Sequence, residues 1–161
     1  MSVVRRIDPI AQFMQEHDKA LVQLSSLNKA TKSIASDGFS PDAYRRILSA
    51  LEFMEEEVSV HNKSEEEALF PVLERYVEGP TNIMREDHKV LTREFRRLRR
   101  AVQRIAKNRQ SRTAAKELAN ISQGVVQLFV NHIHKENHIL FPLVQKFLTK
   151  DALREVARRM V

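Results

Sequence analysis

Shifted by 71 residues, the chain falls onto itself. His17 lands on His88, His61 on His132 and Glu65 on Glu136. The breaks keep the same register: Pro9 with Pro80, Ser40 with Ser111, Pro71 with Pro142. Both copies also carry Leu-Phe-Pro, at Leu69-Phe70-Pro71 and Leu140-Phe141-Pro142. A repeat of this length means one supersecondary unit built twice, and two such units bury their apolar faces against each other.

The unit is a helical hairpin. Apolar residues recur every three or four positions, as in Met84, His88, Leu91, Phe95, Leu98, Val102 and Ile105, which is the period of a helix face. Helix starts are predicted at Asp8-Pro9 and Ser40-Pro41, where an N-cap side chain precedes a proline at the first helical position. Asp37–Ser40, Glu78–Thr81 and Lys107–Ser111 read as turns, and Pro71 should kink or end the second helix. Gly124 sits inside the fourth helix, where close helix packing is expected. A short helix over Lys150–Met160 closes the chain. The expected fold is all-α: an up-down-up-down four-helix bundle with a short C-terminal helix. It makes a single domain over 1–161, with pseudo-twofold halves 7–78 and 79–148.

Antiparallel geometry decides which residues meet. Facing residues lie equally far from the turn between them. The midpoint of His17 and His61 is residue 39, and that of His88 and His132 is residue 110. Both midpoints fall inside predicted turns, so each pair should face across its hairpin. In each His-x-x-x-Glu pair the two side chains share one helix face, a turn apart. That face is the apolar stripe, so four imidazoles and two carboxylates converge in a dry interior. A buried carboxylate with no partner costs several kcal/mol or takes up a proton. Two cations remove that conflict, with Glu65 and Glu136 placed to bridge them and positions left for water, oxide or a diatomic ligand. Nitrogen-plus-carboxylate ligation fits iron best, with manganese or zinc as alternatives. His134 and His138 lie about 200° around the helix from His132 and Glu136 and should be solvated, as should Glu55–Glu57, Glu66 and Glu67. Met14, Val58, Leu91 and Phe129, one turn from the donors, are expected to wall the site.

The set His17, His61-x-x-x-Glu65, His88 and His132-x-x-x-Glu136, with Leu-Phe-Pro after each pair, resembles the hemerythrin-like (HHE cation-binding) family over Ile7–Leu148. The resemblance implies a non-haem di-iron centre, oxo- or hydroxo-bridged, with His17, His61, His88 and His132 as terminal ligands and Glu65 and Glu136 as bridges. Oxygen-carrying members have a further histidine four residues after the third-helix ligand, where this chain has Thr92. The ligand set is more similar to the iron–sulfur cluster repair type, which responds to nitric oxide and oxidative stress. Those proteins carry an N-terminal cysteine pair, and this chain has no cysteine.

The expected function is therefore iron-based handling of O₂, NO or H₂O₂ in oxidative or nitrosative stress or iron homeostasis. A non-catalytic iron sensor or store is the alternative. With no cysteine, disulfides and thiol chemistry are excluded. No apolar run is long enough to span a membrane and no secretory signal is visible, so a cytoplasmic protein is expected. Residues 1–80 hold 9 Lys/Arg against 14 Asp/Glu, whereas the stretch Arg93–Arg112 holds nine basic residues against the single acid Glu94. Nucleic-acid or anionic-partner binding through that stretch is a weaker expectation. The charge asymmetry also allows homo-oligomers.

Overall fold

A computed structural model describes residues 8–160, so Met1–Ile7, including Arg5 and Arg6, and Val161 lie outside the described residues. Helix α1 covers Pro9–Asp37; Asp8 caps it by accepting from the amides of Ile10 and Ala11 at 3.0 and 3.3 Å. Gly38, at φ +93°, ends it in a conformation that a side chain would disfavour. Ser40 then accepts from Ala43 N and opens α2, a continuous helix over 41–73. Helix α3 covers Pro80–Lys107, and α4 runs over 112–147 behind its cap Ser111. Helix α5, Lys150–Arg159, is capped by Thr149. The four long helices alternate in direction through short turns and form the expected all-α bundle. No strand occurs among the described residues. No helix of the described chain is long and apolar enough to cross a membrane.

Prolines 71 and 142 do not break their helices. Each follows a widened π turn, Glu65–Leu69 in α2 and Glu136–Leu140 in α4, and the helix continues beyond it. Phe70 N–H reaches Glu65 O and Phe141 N–H reaches Glu136 O, five residues back. The wider turn gives the ring the space that an α-turn denies it. A third π turn, Met54–Val58, lies further up α2.

Helix α1 packs against α2 and α4, and α3 packs against α4, while α2 and α3 touch sparingly. The core is in two parts. The larger fills the bundle towards the hairpin turns, through residues such as Leu24, Ile47, Leu98 and Leu118. The smaller fills the opposite end, through Phe13, Phe70, Leu73, Phe141 and Val156. Helix α5 closes that end, its Glu155 held by Arg75 in a two-pronged pair at 2.8 Å.

The close packing expected at Gly124 is not found. The residue is exposed, and a Cβ placed there would meet nothing within 4 Å. Gly124→Ala is therefore expected to raise stability by about 1 kcal/mol by removing backbone freedom from the unfolded chain. Urea titration should show a higher midpoint at an unchanged slope.

Candidate metal centre

Between the two parts of the core lies a layer of polar residues. His17, His61, His88, His132, Glu65 and Glu136 are all buried, and both glutamates are 0 % exposed. Helix α1 supplies His17, α2 His61 and Glu65, α3 His88, and α4 His132 and Glu136. The rings of His17 and His61 lie 4.8 Å apart and those of His88 and His132 4.9 Å apart, as the hairpin midpoints predict.

The donors divide into two groups. His17, His61, Glu65 and Glu136 form one; Glu65, His88, His132 and Glu136 form the other. Within each group one donor atom of every residue lies within 4.8 Å of all the rest. Each pair of histidines thus belongs to one group, and both carboxylates belong to both. Glu136 Oε1 is 2.8 Å from His17 Nε2 and 3.4 Å from His132 Nε2, while its Oε2 is 3.9 Å from His88 Nε2. Glu65 Oε1 is 2.7 Å from His61 Nε2 and 3.7 Å from His88 Nε2.

The layer does not satisfy itself. Both oxygens of Glu65, Oε2 of Glu136, and Nε2 of His88 and His132 are buried without a hydrogen-bond partner. Each such atom costs about 1–3 kcal/mol, and native interiors tolerate few. The strain shows in the proton equilibria. Burial, and then the charge of Glu136, push the Glu65 carboxyl well above the usual range. Burial would also raise Glu136, yet its close neighbours Glu65, His132, His17 and His61 hold it well below. Burial would lower His61, but the charge of Glu65 and the nearby carboxylates of Glu136 and Glu16 raise it well above an ordinary imidazole. Metal ions give all these lone pairs a partner, so the donor set fits two cations.

The outward nitrogen of each imidazole faces a polar side chain, hydrogen-bonded in three of the four, and these neighbours obey the 71-residue shift as well. Nδ1 of His17 meets Asn137 Oδ1 at 2.7 Å and Nδ1 of His88 meets Glu66 Oε1 at 3.1 Å. Nδ1 of His132 meets Asp87 Oδ2 at 2.9 Å, and Nδ1 of His61 lies 3.5 Å from Glu16 Oε1. Such partners fix the tautomer and aim Nε2 inwards. Sequence reasoning missed all four and took Glu66 for a solvated residue. The usable signal was polar identity kept across the shift, Glu16 with Asp87 and Glu66 with Asn137. Glu55 is likewise not simply solvated: it pairs with Arg99. Glu67, His134 and His138 are exposed as expected.

Aromatic rings close one side of the layer. Phe141 stacks on His17 with ring centres 5.4 Å apart, and Phe70 stacks on His88 at 6.0 Å. The Phe of each Leu-Phe-Pro therefore packs on an imidazole of the other hairpin. Along the flank between α1 and α2 a cavity of about 750 Å³ runs in and reaches His17, His61, His132 and Glu136. Val58 and Phe129 line it, as the sequence predicts. Met14 does not wall the site; it is 41 % exposed.

The Hemerythrin HHE cation binding domain family matches residues 8–144. The chain is also similar to the iron-sulfur cluster repair protein YtfE of Salmonella paratyphi B (strain ATCC BAA-1250 / SPB7) and to that of Salmonella newport (strain SL254). Each is 28% identical over 131 residues, which cover 78% of this chain and 60% of the relative. The chain thus spans about 60% of the length of these curated relatives.

Proposed function

The chain belongs to the hemerythrin HHE cation binding domain family, and from that premise we propose a non-haem di-iron protein that handles O₂, NO or peroxide under oxidative or nitrosative stress. The observation that carries this reading is the pair of four-donor groups sharing both carboxylates, with four of the six donors reached by a cavity. His17 and His61 would hold one ion and His88 and His132 the other, with Glu65 and Glu136, which belong to both groups, available to both. The imidazole-plus-carboxylate set favours iron over softer-ligand metals. Four donors to an ion leave positions open. Bound iron supplies the redox chemistry; the protein supplies position, exclusion and charge.

The chain's own residues shape that chemistry. Asn137, Glu66, Glu16 and Asp87 hold the rings so that Nε2 faces inwards. Phe13, Phe70 and Phe141 keep water from the closed side, where Phe13 stacks on Phe141 and meets His61 edge-on. Val58 and Phe129 give the open side an apolar lining suited to a small, weakly polar ligand. The relatives' name as repair proteins supports a stress role.

Protein purified from iron-fed cells should contain two irons per chain and absorb in the near ultraviolet through its bridged pair. A metal content clearly below two, with no such absorption, would overturn the reading. Optical spectra taken before and after O₂, NO and peroxide then identify the ligand. Rapid turnover of peroxide or NO would exclude a purely storage or sensing role.

A further inference from the structure

The cavity between α1 and α2 is charged as well as open. Asp8, Glu16, Glu56 and Glu57 line it, against one basic residue, Lys19. Most acids elsewhere on the surface are engaged: Glu55 with Arg99, Glu74 with Arg85, Asp87 with Lys135, Glu155 with Arg75. Glu56 and Glu57 are exposed and meet no lysine or arginine among the described residues, and Glu16 meets only His61. Further in, His132 Nε2 and Glu136 Oε2 are buried without a hydrogen-bond partner, and so is His61 Nδ1 on the side that faces Glu16.

The repeat makes Glu16 stand out. Its counterpart Asp87 is clamped between His132 and Lys135. The position equivalent to Lys135 in the first half is Ser64, which brings no charge. Glu16 is therefore a carboxylate about a third exposed, 3.5 Å from a site imidazole, with no lysine or arginine pairing with it among the described residues. Asp87 lines neither this cavity nor the one of about 790 Å³ between α2 and α3. That second cavity is bordered by Lys63, Lys89, Arg93, Arg96 and Arg99 against Glu55, Glu66 and Glu86, a net positive lining that favours cations less than the first.

We infer that the cavity between α1 and α2 is the loading route for divalent cations, with Glu56 and Glu57 concentrating the ion at the mouth and Glu16 passing it to the inner donors. A cleft lined by one sign of charge raises the arrival rate of opposite charge by about 10- to 1,000-fold. The route thus adds a kinetic device to the site; the inference rests on the metal-site reading above.

The test uses apo protein mixed with Co²⁺ in a stopped-flow instrument, following the visible absorption of the bound ion. The variant carrying both Glu56→Gln and Glu57→Gln is expected to load about 3- to 10-fold more slowly at low salt, converging with wild type at high salt as the charges are screened. It should reach the same final occupancy of two ions. Glu67→Gln removes an equally exposed acid away from the cavity and should load at the wild-type rate. Glu16→Gln and Asp87→Asn each remove the outer neighbour of a site imidazole and should weaken binding, but Glu16→Gln, which alone lies on the route, is expected to slow loading more than Asp87→Asn at every salt concentration. Equal rates for wild type and the mouth variant, or equal slowing by Glu16→Gln and Asp87→Asn, would overturn the route while leaving the metal site standing. Failure of the wild type to take up Co²⁺ at all would overturn both.

Discussion

Glu65→Gln is expected to lose both metal ions while leaving the apo protein as stable as wild type. Glu65 belongs to both donor groups, so its loss strikes both ions at once. Loss of an outer partner typically lowers metal affinity 10–100-fold, and loss of a bridging ligand should exceed about 100-fold. The apo protein is another matter. With burial and the charge of Glu136 raising its carboxyl, Glu65 is the member of the pair that keeps a proton, and glutamine closely copies a protonated glutamate. The change in apo stability should stay within about 1 kcal/mol, the centre of the range for single substitutions. Metal analysis and thermal melts of the apo forms separate the two effects. The sign of the pH dependence follows. A folded-state pKa raised above the unfolded value means that the native apo protein holds the extra proton, so apo stability should fall as pH rises from the ordinary carboxylate range towards the raised value. Glu65→Gln should flatten that slope. His134→Ala and His138→Ala, which alter exposed rings, should retain two ions.

Chelation of the holo protein should produce the second large change, a fall in melting temperature of about 15–30 °C. An ion present at 1,000 times its dissociation constant stabilises the native state by about 4 kcal/mol, and two ions by about twice that. For a chain of this size each kcal/mol moves the melting point by about 2–4 °C. The effect should concentrate in one region. The polar layer separates the two parts of the core, so without ions the smaller part, around Phe13, Phe70 and Phe141, is joined to the larger across unpartnered donors. Hydrogen exchange should accelerate most in α5 and the lower turns of α2 and α4. Uniform acceleration, or a melting point indifferent to chelator, would remove the case for a metal that holds the fold together.

Much of this protein is legible in its sequence because helices obey a simple period. The caps Asp8 and Ser40 mark two helix starts, and the hairpin midpoints bring His17 to His61 and His88 to His132. What escapes is whatever departs from a regular helix or depends on a neighbour. The π turns at Glu65 and Glu136 hide because an apolar stripe looks nearly the same through one widened turn; the prolines at 71 and 142 were the only trace. Glu66 and Asn137 sit about 100° around their helices from the site glutamates, which reads as solvent on an isolated helix. In the bundle that flank lies against a neighbouring histidine. The cavity depends on how α1 and α2 part above the layer, and no spacing of residues states that.

The widened turns carry a consequence for how this sequence tolerates change. A π turn is an α-helix holding one residue more than its hydrogen-bond ladder needs, and here such a turn follows each site glutamate. Deleting one residue between Glu65 and Leu69 lets the helix relax to ordinary geometry. Everything downstream then keeps its facing, and Phe70 stays on its imidazole, because the residue removed is the one the ladder does not need. Single-residue deletions should therefore be absorbed at two places deep within helices, at matching points of the duplicated hairpin, whereas the same deletion in a regular turn of α2 or α4 rotates all that follows by about 100°.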